Sequence, residues 1–280
     1  MMHRIVAVNF VIIAAFFVPM AAGAVTTEQV EIPRPDGKLN ALVYRPEGPG
    51  PFPAVIGLHG CAGVNGAAGT PTARYLDWGQ RLAHAGFVVV FPDSYGSRGL
   101  GSQCSVRSRP IRVNRERVAD AETARLWLQS QSWIAPERIS LLGWSNGAIA
   151  ALWAVRPRIG AKNGKGPDFR SAVSFYPGCR RLYETAWNAR VPTLILIGGA
   201  DDWTSPIDCE QMVEGARGRS ARISLIVYPG AYHDFDHPNR PLQVRSGYAF
   251  SVDGTGRVHT GTNPAARADA IKRVQEWLKR

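Results

Sequence analysis

The chain has 280 residues, 45% of them hydrophobic, and carries 33 Lys and Arg against 22 Asp and Glu for a formal charge of +11. The length suits one large domain with a full core, and the basic residues are scattered with no basic run interleaved with aromatics. Nucleic acid is therefore excluded as the expected partner, and the charge reads as general surface character.

At the N-terminus, Met1-Met2-His3-Arg4 is a short basic start, Ile5 to Met20 is almost wholly apolar, and Ala22-Gly23-Ala24 fits a small-x-small cleavage pattern. This predicts a signal peptide over 1–24 that is cleaved, leaving 25–280 as a single domain; a retained anchor is the alternative. The apolar run is short for a bilayer-spanning helix, and no later segment is apolar enough to replace it. The mature chain is expected in the periplasm or outside the cell, without stable membrane insertion. Arg4 is the only charged residue before Val25, so its net charge falls by one, to +10.

Gln29 to Pro33 and Leu39 to Tyr44 read as an antiparallel pair turning at Asp36-Gly37. Ala54 to Leu58 is a buried strand that ends at His59-Gly60-Cys61-Ala62-Gly63, and a helix is predicted from about Thr72 to Ala85. Phe87 to Phe91 is the most strand-like run, followed by Pro92-Asp93-Ser94-Tyr95 and a loop to about Pro110. A helix from about Arg112 to Ser130 has Val118, Ala121, Ala124, Leu126 and Leu128 as its apolar stripe. Ile139 to Leu142 is a strand, and an alanine-rich helix follows it. Further strands are predicted at Ala172 to Tyr176, Val191 to Ile197 and Arg222 to Tyr228, with helices from about Asp208 to Ala216 and from Ala265 to Leu278. The stretch from about Asn239 to Asn263 is polar and irregular and has no assigned element. Short buried strands alternating with helices imply an α/β fold, a mainly parallel sheet of roughly eight strands covered on both faces. Sites in such sheets lie at the carboxyl ends of the strands.

Gly143-Trp144-Ser145-Asn146-Gly147 fits G-x-S-x-G between a strand and a helix, the context of a nucleophile elbow. The serine of such a turn sits at strained backbone angles, and flanking glycines avoid a clash. The bland reading of Ser145 is a structural strand–helix turn. A serine hydroxyl needs a base, and that base needs a carboxylate. Asp201 and His233 follow at later strand ends, in the chain order Ser, Asp, His. Asp202 competes with Asp201, with a turn or helix cap as its alternative role. His59 reads as structural, His84 lies within a helix, and His237 and His259 sit in irregular sequence. The amides of Asn146 and Cys61 are the positional candidates for an oxyanion hole.

The four cysteines are Cys61, Cys104, Cys179 and Cys209. No C-x-x-C or zinc spacing is present, so no metal is expected. In an exported chain, an even count favours disulfides. Of the three possible pairings, Cys61–Cys104 with Cys179–Cys209 is preferred, because each couples loops after strands on the side of the site. Oxidation also argues against Cys61 as an alternative nucleophile.

His59-Gly60-Cys61-Ala62-Gly63, Pro92-Asp93-Ser94-Tyr95, Gly143-Trp144-Ser145-Asn146-Gly147, Gly198-Gly199-Ala200-Asp201 and Ala231-Tyr232-His233-Asp234-Phe235 together resemble the dienelactone hydrolase family of the α/β-hydrolase superfamily. The resemblance implies the α/β-hydrolase fold, with Ser145 as nucleophile, Asp201 as acid and His233 as base. Two features depart from the founding members: they carry a cysteine nucleophile, and arginines hold their substrate's carboxylate. Arg98 lies near one such arginine position, so Arg98, together with Trp144 beside the nucleophile, is a candidate substrate contact. The chain looks like a secreted or periplasmic serine branch of the family. The expected activity is hydrolysis of a small-molecule carboxylic ester or lactone through an acyl-enzyme, by a monomer needing no cofactor. A peptidase or amidase on the same fold, and a non-catalytic binding protein that retains it, are the rival readings.

Overall fold

The computed structural model describes residues 25–66, 69–157 and 166–280. The predicted signal peptide over 1–24 lies outside the described residues.

Eight strands form one sheet: β1 (Val25–Arg34), β2 (Gly37–Pro46), β3 (Phe52–Leu58), β4 (Val88–Pro92), β5 (Ile134–Trp144), β6 (Ala172–Phe175), β7 (Thr193–Gly198) and β8 (Ile223–Tyr228), in the order β1-β2-β4-β3-β5-β6-β7-β8. β1 and β2 pair antiparallel, as do β2 and β4, and every other pairing is parallel. β4, β6 and β7 are buried along their whole length, which explains why they read as unbroken apolar runs rather than alternating ones. The chain runs from β3 out to β4, then crosses to the other side of β3 to form β5. That reversal marks the carboxyl ends of β3 and β5 as the switch point, the place where ligands of such sheets bind.

The helices are α1 (Ala73–His84), α2 (Glu116–Gln129), α3 (Asn146–Ala154), α4 (Arg180–Glu184), α5 (Pro206–Gly215) and α6 (Pro264–Lys279). Trp144 packs its ring 6.1 Å from that of Trp78 in α1. A Cβ on Gly143, its neighbour in β5, would come within 2.4 Å of the Gly147 carbonyl oxygen in α3. Successive strand residues point to opposite faces, so α1 and α3 cover opposite sides of the sheet. Arg267 of α6 joins Asp77 of α1 at 2.6 Å, which places α6 beside α1.

Several elements differ from the sequence reading. α2 begins at Glu116 rather than near Arg112, and Leu126 is 44% exposed instead of packed. Its buried side includes Arg117, Asp120 and Arg125, polar residues that apolar periodicity cannot register. β5 starts at Ile134, five residues before the apolar run that marked it, and pairs there with Phe52 across an irregularity in register. The unassigned stretch contains an antiparallel pair, β9 (Gln243–Arg245) and β10 (Val258–Thr260), whose Thr260 bridges to His233.

Candidate active site

Ser145 joins β5 to α3 with φ 50° and ψ −114°, a left-handed conformation that costs a non-glycine residue on the order of 1–3 kcal/mol. Its amide donates to the Phe175 carbonyl at 2.9 Å, which holds the strained residue against β6. Both glycines of the motif are demanded by close approach. Besides the contact at Gly143, a Cβ on Gly147 would lie 1.9 Å from the Leu58 carbonyl oxygen, because α3 starts directly against the end of β3. The β3 loop therefore runs beside the serine, with the Cβ direction of Gly60 3.8 Å from Ser145 Cβ.

Asp201 and His233 meet because the ends of β7 and β8 are joined backbone to backbone. Gly199 donates to Tyr228 at 2.8 Å and Ala200 to Ala231 at 3.0 Å. Only glycine fits at 198, where a Cβ would lie 2.1 Å from the Ala231 carbonyl oxygen. Asp201 Oδ2 is 2.7 Å from His233 Nδ1. Its other oxygen accepts from the amides of Trp203 and Thr204 at 2.9 and 2.8 Å, and Oδ2 also accepts from Thr204 Oγ1 at 3.0 Å. This set of donors favours an ionised, acceptor-only carboxylate and a His233 that donates through Nδ1. His233 is 1% exposed, its ring lying 4.3 Å from that of Tyr176 and 4.6 Å from that of Trp203. Its Nε2 has no hydrogen-bond partner among the described residues.

Asp202 is engaged elsewhere. It accepts from the His259 amide at 2.8 Å and sits 2.6 Å from His259 Nδ1, tying β10 to the β7 loop. The cap of α5 that was its alternative role falls to Ser205, which accepts from Asp208 at 3.2 Å.

The loop after His233 is clamped by charge. Asp234, at φ 67°, is bound by Arg74 and Arg240. Burial alone would raise its pKa, but the two guanidiniums outweigh that and hold it well below the usual carboxylate range. Asp236 accepts from Trp78 and Trp144 at 2.8 Å each and from Tyr176 at 2.6 Å, linking α1, the elbow and the ring beside His233.

On the opposite side, Cys61 is disulfide-bonded to Cys104, and Cys179 to Cys209, the pairing preferred from the sequence. The first bridge ties the β3 loop to the loop after β4, and Cys104 in turn accepts from the Ala249 amide at 3.0 Å. His59 is fully buried, with Nδ1 2.8 Å from the Gly60 carbonyl and Nε2 accepting from the Ser94 amide at 3.2 Å. Asn146 opens α3, a position whose amide has no intrahelical acceptor. Its side-chain oxygen accepts from Tyr95 Oη at 2.9 Å and from Arg117 Nη1 at 2.6 Å.

Both candidate substrate contacts have partners within the protein. Arg98 pairs with the buried carboxylate of Asp120 through two 2.8 Å contacts and donates to the Ser94 carbonyl at 2.7 Å. Asp120 is shared with Arg34, whose Nη1 lies 3.3 Å from its Oδ1. Trp144 is 0% exposed, stacked on Phe175 and bonded to Asp236 on the α1 face. The residues around His233 that sequence reasoning missed are Tyr176, Trp203, Arg74, Arg240 and Asp236. Only Trp203, two positions after Asp201, had a local signal.

Two buried histidines make stability depend on pH. Burial, then the charges of Arg74 and Arg240, push the His237 pKa down to about 4. Burial and then the Arg117 charge push His59 well below its ordinary value. Between the unfolded value near 6.5 and about 4, the unfolded chain binds a proton that folded His237 refuses, so stability falls as pH falls through that window. His237 alone is expected to cost about 2 kcal/mol between pH 7 and pH 5, with His59 acting in the same direction. Chemical denaturation at the two pH values measures this, and equal stabilities would contradict it.

Comparison with known proteins adds a family. The model of the dienelactone hydrolase family matches residues 39–280. A Methylorubrum extorquens protein provisionally named carboxymethylenebutenolidase is 23% identical over 274 residues, covering 92% of this chain and 82% of that protein. Among solved structures, a dienelactone hydrolase-like promiscuous phosphotriesterase from metagenomic libraries superposes with a TM-score of 0.70 at 16% identity, covering 92% of this chain and 98% of its own. A Klebsiella pneumoniae protein provisionally described as a dienelactone hydrolase gives 0.67 at 20% identity, covering 92% of this chain and 99% of its own. At such identities the structural likeness speaks to the fold.

Proposed function

The chain belongs to the dienelactone hydrolase family, and from that premise we propose that it is a serine hydrolase cleaving a carboxylic ester or lactone through an acyl-enzyme. The observation that carries this reading is the 2.7 Å Asp201–His233 pair, buried after β7 and β8, on the same carboxyl edge of the sheet as a serine held at φ 50° after β5. In the proposed reaction, Ser145 Oγ adds to the substrate carbonyl carbon as His233 Nε2 takes its proton. The Asn146 and Cys61 amides, with the N-terminal end of α3, stabilise the resulting oxyanion. The C–O bond to the leaving alkoxide then breaks, and His233 returns the proton to that oxygen. Water, deprotonated by His233, adds to the acyl-enzyme, and release of the acid restores Ser145. Asp201 holds the imidazole in the tautomer that leaves Nε2 basic and offsets the imidazolium charge.

The mature chain acts outside the cytoplasm in this reading. The leader-like N-terminus supports it, and both disulfides fit an oxidising compartment. Among the described residues, no helix is long and apolar enough to cross a membrane.

One experiment tests activity and processing together. Exported protein is assayed on p-nitrophenyl esters of graded acyl length, then treated with a fluorophosphonate and read by intact and peptide mass. Ester turnover, with a single adduct on the Ser145 peptide of a chain beginning at Val25, is the expected result. A protein that neither turns over esters nor takes up the label would overturn the hydrolase reading.

A further inference from the structure

Arg117 of α2 is 0% exposed, yet no carboxylate lies within ion-pair distance of it among the described residues. The other deeply set arginines behave differently: Arg74 pairs with Asp234, Arg34 with Asp120, and Arg125 with Glu122. Arg117 instead spends one donor on a neutral group, with Nη1 2.6 Å from Asn146 Oδ1. Its guanidinium carbon lies 5.2 Å from the centre of the Tyr95 ring. Nε and Nη2 have no hydrogen-bond partner among the described residues.

A buried charge without a counter-charge is destabilising, and packing alone would be served better by an apolar side chain of similar size. The position of the charge suggests what it does. On one side it touches Asn146, whose amide opens α3. On the other it acts on the β3 loop: its charge is the second influence, after burial, that lowers the proton affinity of His59. It also acts on Tyr75, whose hydroxyl accepts from the Gly60 amide at 2.8 Å. Arg117 therefore stands behind both backbone segments that flank Ser145.

We propose that Arg117 is a positioning residue of the oxyanion hole, pinning Asn146 through its side-chain oxygen and supplying a buried positive charge that is balanced only when the substrate carbonyl oxygen becomes negative. The guanidinium makes no bond to the substrate. In the resting protein the charge is unmatched, so its favourable interaction is realised in the transition state rather than in substrate binding. Tyr95 Oη holds the same Asn146 oxygen from a second direction, leaving Arg117 as the charged member of the pair. The inference rests on the acyl-transfer reading of Ser145.

The test compares the parent protein with Arg117→Met and Arg117→Lys, measuring kcat and KM on a p-nitrophenyl ester, inhibition by phenylboronic acid, Tm and fluorophosphonate labelling. Direct oxyanion donors are worth 10²–10³ in kcat elsewhere, so a charge acting from behind one is expected to give a loss of roughly 10- to 100-fold in Arg117→Met. KM is expected to stay within about twofold, the boronate Ki to rise in step with the kcat loss, and Arg117→Lys to recover most of it. Tm is expected to hold or rise, because an unpaired buried charge has been removed. A merely structural role would lower Tm and leave the boronate Ki to track KM. An Arg117→Met protein with parental kcat and Ki overturns the proposal. If Arg117→Met does not fold, Arg117→Gln takes its place with the same criteria, and failure of both to fold would assign Arg117 to the fold and overturn the proposal. If the parent itself shows neither turnover nor Ser145 labelling, the acyl-transfer reading has failed and the proposal falls with it.

Discussion

Ser145→Ala is expected to abolish ester turnover, lowering kcat by on the order of 10⁶-fold, because the members of a triad act as a unit and a mutant lacking the nucleophile retains only binding and oxyanion stabilisation. The same substitution is expected to leave stability nearly unchanged. Alanine tolerates φ 50° no better and no worse than serine, so the strain at the turn is retained. The Phe175 contact that holds the residue uses its backbone amide, which alanine keeps. The side chain is half-buried, and losing one oxygen opens no sizeable cavity. Initial rates on the best p-nitrophenyl ester, with a thermal melt of the same sample, measure both halves. Turnover that survives in a folded Ser145→Ala protein would rule out the acyl-enzyme.

Asp201→Asn is expected to lower kcat by about 10⁴-fold, the scale on which an imidazole held in the wrong tautomer costs a serine hydrolase. An asparagine oxygen can still accept from the Trp203 and Thr204 amides, so the turn after β7 survives. Its NH2 group, however, would face His233 Nδ1, where a carboxylate oxygen now lies at 2.7 Å. Asp202→Asn provides the contrast. Its pair with His259 is more than a third exposed on both sides, and exposed pairs contribute little. That variant is expected to stay within about tenfold of the parent, since it loosens only the tie between β10 and the β7 loop. If Asp202→Asn lost the larger share of activity, the acid would have to be reassigned.

The two neighbouring aspartates show where sequence reasoning reaches its limit. Both follow the strand that ends at Gly198, and spacing alone ranked Asp201 first without excluding Asp202. The choice depends on which carboxylate faces His233 and which faces His259, residues 32 and 57 positions further along. Arg98 shows the same dependence on a distant partner. Its position near a family arginine made it a candidate substrate contact, and in the structure it pairs with Asp120 on α2. Trp144, the last residue of β5, faces α1, where its ring packs 6.1 Å from that of Trp78.

By itself, the sequence determined the α/β architecture, the strand ends on which Ser145, Asp201 and His233 sit, and the glycines around the elbow. All of these follow from apolar periodicity, turn chemistry and steric demand, which act between residues close in the chain. Tertiary structure alone decided which partner each buried charge has: Arg74 with Asp234, Arg98 with Asp120, and Arg117 with no carboxylate among the described residues. Those pairings join positions tens to more than a hundred residues apart, and burial sets their strength by removing the water that would otherwise screen them. A hydrophobic pattern marks where the core lies, but it carries no record of which charges are balanced inside it.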